Sequence, residues 1–289
     1  MKRHVRVVKT LATFLGLLAV GVCNNGPSQA ADSGVVDLVN RKVLRVCSDP
    51  HNMPFSNEAG EGFENKIAEV IADELKVPVE YTWYPMSTGF VRMTLFSKRC
   101  DVIIGYAQGD ELVLNSNAYY RSTYAIVYKQ GTGLDGVDSL ADPKLKDKRI
   151  GVVANTPPGF SMAKHGLMSK AKTYPLIVDT RFDSSGEAIA KDVRAGEIDA
   201  GVLWGPFAGY YGTKVGTPAL AVKPLALDTS VTAKNSYGIT LGMRLADTDW
   251  KKQLNTVLTK RRADIDKILL SFGVPLLDDQ NVPITAPRQ

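Results

Sequence analysis

Histidine, cysteine and catalytic turn motifs are scarce in this 289-residue chain. There are three histidines and three cysteines, and His4 and Cys23 fall in a leader-like opening segment. That leaves His51 and His165, far apart in sequence, and too few ligands for a histidine-based zinc site. No calcium-loop spacing occurs, and Asp278-Asp279 reads as a solvated pair. No Gly-x-Ser-x-Gly turn or phosphate loop is present, and the Gly-x-Gly-x-x-Gly run from Gly131 to Gly136 lies in a turn-rich stretch with no helix expected directly after it, as a dinucleotide site would need. These absences exclude the commonest hydrolase, nucleotide and dinucleotide chemistries, so no catalytic residue, metal or cofactor is expected. Long apolar runs are missing too. Residues 11–22 are too short to span a bilayer and no other stretch approaches that length, so no membrane insertion is expected.

What the opening segment does have is the pattern of a signal peptide. Lys2, Arg3, Arg6 and Lys9 precede the apolar stretch, and Ser28-Gln29-Ala30 offers small residues for cleavage. Residues 1–30 are read as a leader and the protein as exported to the periplasm. The whole chain carries 35 Lys and Arg against 30 Asp and Glu. Four of those bases and no acid lie in the leader, so 31 remain against 30, a net of +1. So even a balance gives no reason to expect nucleic acid as a partner.

The mature chain is organised around a strand, a loop and a helix. Leu44-Arg45-Val46-Cys47 reads as a strand, Pro50, Asn52 and Pro54 break it, and Phe63, Ile67, Val70, Ile71 and Leu75 then recur at helical spacing. This is the opening of a doubly wound α/β domain, in which ligands collect beyond the carboxyl ends of the strands. Asp49, His51, Asn52 and Phe55 are therefore expected to line a cleft. Further strands are expected at residues 79–83, 101–106 and 119–128, with a short helix over 88–96. In the second half, strands are expected at 149–153, 176–179 and 200–204, and helices at 161–169 and 185–195. One closing helix runs from about Asp247 through Leu269, with Lys260-Arg261-Arg262 on its solvated side, and the tail from Asn281 is expected to be loose. Residues 195–200 weakly echo 97–102, which agrees with two similarly built halves.

Cys47 and Cys100 would by default pair in an oxidising compartment. If Leu44 lies beside Val102 on adjacent parallel strands, however, the two cysteines are about five residues apart along the sheet, roughly 16 Å at ~3.3 Å per residue. A bridge needs Cα atoms within about 7 Å, so the expectation is no bridge.

The wording Leu-Arg-Val-x-x-Asp-Pro-x-x-x-Pro-Phe from Leu44, followed by Gly62-Phe63-Glu64, resembles the cluster-type periplasmic solute-binding proteins, the amino-acid binders of ABC importers. Cys47-Ser48-Asp49-Pro50, the run from Pro54 to Ala68, Arg99-Cys100-Asp101-Val102 and Tyr119-Tyr120-Arg121-Ser122 resemble a narrower group, the MxaJ and XoxJ proteins. Those are binding-protein-like partners of PQQ-dependent (quinoprotein) alcohol dehydrogenases in methanol oxidation. The resemblance implies a two-lobe type II periplasmic binding protein fold of α/β class with two crossing hinge segments. Lobe 1 is expected over residues 31–128 plus 238–289, and lobe 2 over 129–237.

The polar devices of the amino-acid binders are absent from the matching places. Their carboxylate-gripping Arg corresponds to a stretch reading Tyr106-Ala107-Gln108-Gly109-Asp110. Pro157 and Pro158 remove backbone donors after Asn155 and Thr156, and Trp204-Gly205-Pro206-Phe207 stands where an ammonium-binding Asp belongs. Burying an amino-acid zwitterion without these partners costs about 1–3 kcal/mol per unmade hydrogen bond. Aromatics take their place at the expected cleft: Tyr84, Tyr106, Tyr120, Phe160, Trp204, Phe207 and Tyr210. Filling the cores of the lobes is the plainer reading of each ring; as a set they favour an apolar ligand or a protein segment. Arg92, Arg121 and Trp204 are candidate contacts to a partner. The expected function is a monomeric, non-catalytic periplasmic accessory of a PQQ-dependent methanol or alcohol dehydrogenase or its cytochrome c, with room for a small ligand in the cleft. The alternative is a receptor delivering an apolar or unusual solute to an ABC importer.

Overall fold

The computed structural model describes residues 38–232 and 234–288, and the expected leader lies outside the described residues. The chain opens with β1 (Leu44–Ser48), the small hairpin β2 (His51–Asn52) and β3 (Ser56–Asn57), then α1 (Phe63–Leu75). The hairpin loop and the helix start hold each other. Phe63 and Glu64 donate their backbone N–H groups to the carbonyls of Pro54 and Phe55, at 2.9 and 2.8 Å. Asn65 Oδ1 accepts from the N–H of Gly62 and of Asn57. Residue 62 must be glycine, because a Cβ there would strike the Phe55 carbonyl.

β4 (Val79–Trp83) and β5 (Val102–Ala107) flank β1 in parallel, with only a four-residue helix, α2 (Phe90–Met93), between them in sequence. β6 (Leu114–Asn115) precedes β7 (Tyr120–Tyr128), a long strand that serves both halves. Its first half pairs with β12 (Ser236–Met243), its second with β10 (Ala200–Trp204) and β11 (Ala221–Pro224). In the second half, β8 (Ile150–Val153) is followed by α3 (Pro157–Lys164), β9 (Lys172–Tyr174) and α4 (Ser185–Ala195), and β10 runs directly into α5 (Gly205–Gly209). α6 (Thr248–Lys260), α7 (Arg262–Ser271), β13 (Leu276–Leu277) and β14 (Pro283–Ile284) end the chain. Trp250, Leu254, Ile265 and Leu269 pack into one core with Phe63, Ile67 and Ile71. The second half has its own cores, around Ile126, Ile150 and Val152 on one sheet face and Val127, Ile189 and Val193 on the other. This is the two-lobe type II periplasmic binding protein fold, with β7 and the chain returning through β12 as the crossings. Among the described residues no helix is long and apolar enough to cross a membrane.

The same device closes both sheets. Arg45 on β1 binds Asp101 before β5, and Arg149 before β8 binds Asp199 before β10, each Nη2 to Oδ1 at 2.7 Å. In each pair the aspartate N–H also donates to the arginine carbonyl at 2.8 Å.

Several sequence expectations need correction. Cys47 and Cys100 form a disulfide, with Cα atoms 5.4 Å apart. Val46, not Leu44, lies beside Val102. Cys100 precedes β5 and joins Cys47, Phe90, Leu95 and Ile103 in a cluster on one face of the sheet, so distance counted along the strand does not apply. The strand expected over 176–179 is β9, a few residues earlier. Leu176 and Ile177 are 54% and 64% exposed; the apolar run belongs to a rim rather than a core. α3 begins at Pro157, since proline suits a first helical turn. The closing helix is two, and the basic run at their junction is not merely solvated: Arg261 bonds Asp73 and Asp264, and Lys260 bonds Glu74 on α1. The tail is held as well, by β14 pairing with β13 and by Arg288 on the fully buried Asp266.

Candidate functional site

The carboxyl ends of β1, β5, β8 and β10 face one another across a cleft. Asp49, wholly buried at the end of β1, accepts from the N–H of His51 at 2.8 Å and of Met86 at 2.6 Å. It also accepts from the hydroxyl of Thr180, which comes from the opposite lobe. Tyr211 Oη donates to the Met53 carbonyl at 3.0 Å, and the rings of Phe55 and Phe207 meet edge to face at 5.0 Å. The loop after β1 is therefore fixed from both sides.

Two adjoining cavities open here. The first, 230 Å³, is bounded by His51, Asn52, Met86, Thr156, Leu176, Ile177 and Trp204. The second, 430 Å³, lies between Phe55, Glu64, Gly105, Ala107, Tyr124, Trp204, Phe207 and Tyr237. Trp204 stands 5.3 Å from Tyr124 and 5.9 Å from Tyr237, ring to ring, so three aromatics form a continuous wall. Among the described residues no Lys or Arg lines either cavity.

A single carboxyl group lies at the floor of the second cavity. Glu64, from the first turn of α1, is 4% exposed. Burial, and then the charge of Asp49, raise its pKa well above the usual carboxylate range. It fits because Gly105 has no Cβ; one added there would collide with Glu64 Oε1. Gly105 has φ +82° and sits in a bulge, where Ile104 and Gly105 together oppose Leu241 between the pairs Ile103–Gly242 and Tyr106–Thr240.

Of the residues singled out from the sequence, His51, Asn52, Phe55, Thr156, Trp204 and Phe207 line the cavities, and Asp49 lies behind them. The others do not line them. The bulge turns Tyr106 to the opposite face from Gly105 and Ala107, toward the disulfide cluster, where its hydroxyl meets Asp110 at 3.3 Å. Burial, with Asp110 adding to it, pushes that phenol up to about 12. Tyr84 packs with Phe90 in the same cluster, and Gln108 and Asp110 are exposed in the loop beyond. Tyr120 is core, edge-on to Phe63. Asn155 is exposed, Phe160 faces Lys164 and residues 230–232, and Tyr210 stacks on Phe272. Arg92 is exposed on α2, while Arg121 is half-buried in β7 with its Nε lacking a hydrogen-bond partner. Sequence reasoning missed Glu64, Tyr124 and Tyr237. The available signal was that Tyr124 lies on the strand over 119–128 that leads out of lobe 1, and Tyr237 at the expected boundary between the lobes.

A family model for the bacterial extracellular solute-binding proteins, family 3, matches residues 44–273. The chain is 30% identical to Protein MoxJ of Methylorubrum extorquens strain AM1 over 269 residues, 88% of this chain and 87% of that protein. Among solved structures it is similar to the periplasmic binding protein XoxJ from Methylobacterium extorquens AM1, at 40% identity and TM-score 0.69, covering 82% of this chain and all of that one. It is also similar to MxaJ from Methlophaga aminisulfidivorans MPT, at 27% identity and TM-score 0.70, covering 81% of this chain and all of that one.

Proposed function

The chain belongs to the bacterial extracellular solute-binding proteins, family 3, and from that membership we propose that it works in the periplasm as a non-catalytic accessory of a PQQ-dependent methanol or alcohol dehydrogenase. In this reading it contacts the dehydrogenase, or its cytochrome c, and supports the active form. The observation that carries the reading is the cleft itself: an aromatic wall of Tyr124, Trp204 and Tyr237 with, among the described residues, no Lys or Arg lining it to grip an amino-acid carboxylate. The likeness to MoxJ, XoxJ and MxaJ supports the choice of partner. The exposed Leu176, Ile177 and Phe182 on one rim offer apolar anchors of the kind that dominate protein interfaces.

The test is an interferometry titration of the mature protein against the dehydrogenase, with and without its cofactor. Trp204→Ala is expected to weaken binding by about 2 kcal/mol, and Lys260→Ala, on the far helix, by far less. A deletion strain that keeps full dehydrogenase activity but loses uptake of a small solute favours the second reading, a receptor for an ABC importer. The open cavity between the lobes is the observation on that side.

A further inference from the structure

Glu64 poses a chemical question that partner binding leaves unanswered. A carboxyl group 4% exposed on the wall of an open cavity, with no hydrogen bond or ion pair among the described residues, is costly to bury. Apolar packing would serve a simple core better, yet the fold makes room for it with a bulge and a glycine at residue 105. The titratable groups around it are acidic or phenolic: Asp49 at the end of β1, Tyr81 on β4, Tyr119 just before β7 and Tyr120 at its start. Tyr124 and Tyr237 face the same cavity, and among the described residues no cationic side chain does.

We propose that this cavity binds an alkylammonium group, with the Glu64 carboxylate as counter-ion and the faces of Trp204, Tyr124 and Tyr237 around the charge. Aromatic faces attract a cation through the ring quadrupole, a term that a neutral ligand of the same size lacks, and the attraction grows in a site shielded from water. Without the cation, burial raises the Glu64 pKa, so the empty site holds its proton to a higher pH than an ordinary carboxyl does. Binding must therefore expel that proton: the carboxyl O–H breaks, the proton passes to solvent, and the carboxylate pairs with the ammonium. Affinity accordingly rises with pH until the pKa of the empty-site Glu64 is passed, and is flat above it. The proposal goes beyond the partner reading and does not depend on it, since the ammonium can come from a free amine or from a lysine side chain of a bound segment.

The experiment is calorimetric titration of the mature protein with n-butylammonium and tetramethylammonium, in two buffers of unequal ionisation enthalpy, with 1-butanol as the neutral control. The expected result is binding of the ammonium ions, absence of butanol binding, and proton release on binding that approaches one per ligand at low pH and falls away as pH passes the Glu64 pKa. Glu64→Gln should weaken binding about tenfold or more and abolish proton release; Trp204→Phe should keep the release with a smaller loss. Nα-acetyl-lysine amide separates the sources: binding as tight as butylammonium points to a protein lysine, and much weaker binding to a free amine. No heat from either ammonium ion at concentrations on the order of 10 mM overturns the proposal, as does binding that Glu64→Gln leaves unchanged. The dehydrogenase titration can succeed or fail independently of either result.

Discussion

Thr180 Oγ1 stands 3.1 Å from Asp49 Oδ2, so a hydroxyl of one lobe donates to a buried carboxylate of the other across the cleft. Such a bond, to a charged acceptor, contributes about 1.5–3 kcal/mol. It works alongside the bond from Tyr211 to the Met53 carbonyl to hold the lobes together. Hinge closure of two-lobed proteins is an equilibrium that a single such contact can move. Thr180→Val is expected to enlarge the radius of gyration measured by small-angle scattering, with an unchanged melting temperature for each lobe's core. A scattering curve identical to that of the parent protein would remove the latch from the account.

The disulfide between Cys47 and Cys100 closes a 53-residue separation. By loop-closure entropy, such a constraint stabilises the fold by about 4 kcal/mol. Denaturant unfolding of the Cys47→Ala/Cys100→Ala double variant should show a loss of that order. Titration of the denatured native protein with a thiol reagent should find neither residue free.

Glu64 destabilises the empty protein at neutral pH. Its native pKa is raised, through burial first and Asp49 second, above the ordinary glutamate value of 4.5. The folded state therefore holds a proton that the unfolded chain sheds, and stability falls as pH rises from about 4.5 toward the native pKa. Glu64→Gln should flatten that slope and melt higher than the parent at pH 7. A parent and variant with superimposable pH profiles would contradict this.

The two Arg–Asp pairs should respond unequally to mutation. Asp101 is 1% exposed and serves both Arg45 and Arg244, whereas Asp199 is 32% exposed and its partner Arg149 48%. Asp101→Asn removes the carboxylate shared by two partly buried guanidinium groups, Arg244 keeping its pair with Asp247, and should cost about 3 kcal/mol. Asp199→Asn breaks a screened pair and should cost about 1 kcal/mol or less. Chemical denaturation of the two single variants measures both.

The order of strands and helices was legible because period two gives way to period 3.6 at Phe63, and because Pro and Gly mark the turns. The cleft was legible only where it is built from loops at strand ends, as with His51, Asn52 and Phe55. Tyr106 was misplaced because one extra residue at Gly105 reverses the parity of everything after it, and a glycine in a strand does not announce which way the bulge turns. Glu64 looked like an ordinary solvated position in the first turn of an amphipathic helix; only the loop folded over that turn buries it. The disulfide was hidden for a related reason, since Cys100 approaches the sheet from its face. In each case the deciding contact comes from a segment distant in sequence, which periodicity does not encode.

The repeated Arg–Asp pair separates two jobs along the same strands. Arg45 with Asp101 and Arg149 with Asp199 fasten the amino-terminal ends, while Asp49, Gly105, Ala107 and Trp204 sit at or beyond the carboxyl ends, next to the cleft. Each lobe is thus bolted at one end and free to be rewritten at the other. A lineage can exchange an arginine clamp for an aromatic wall there, trading one clientele for another, while the bolts at the opposite end keep the strands in register and the protein foldable throughout.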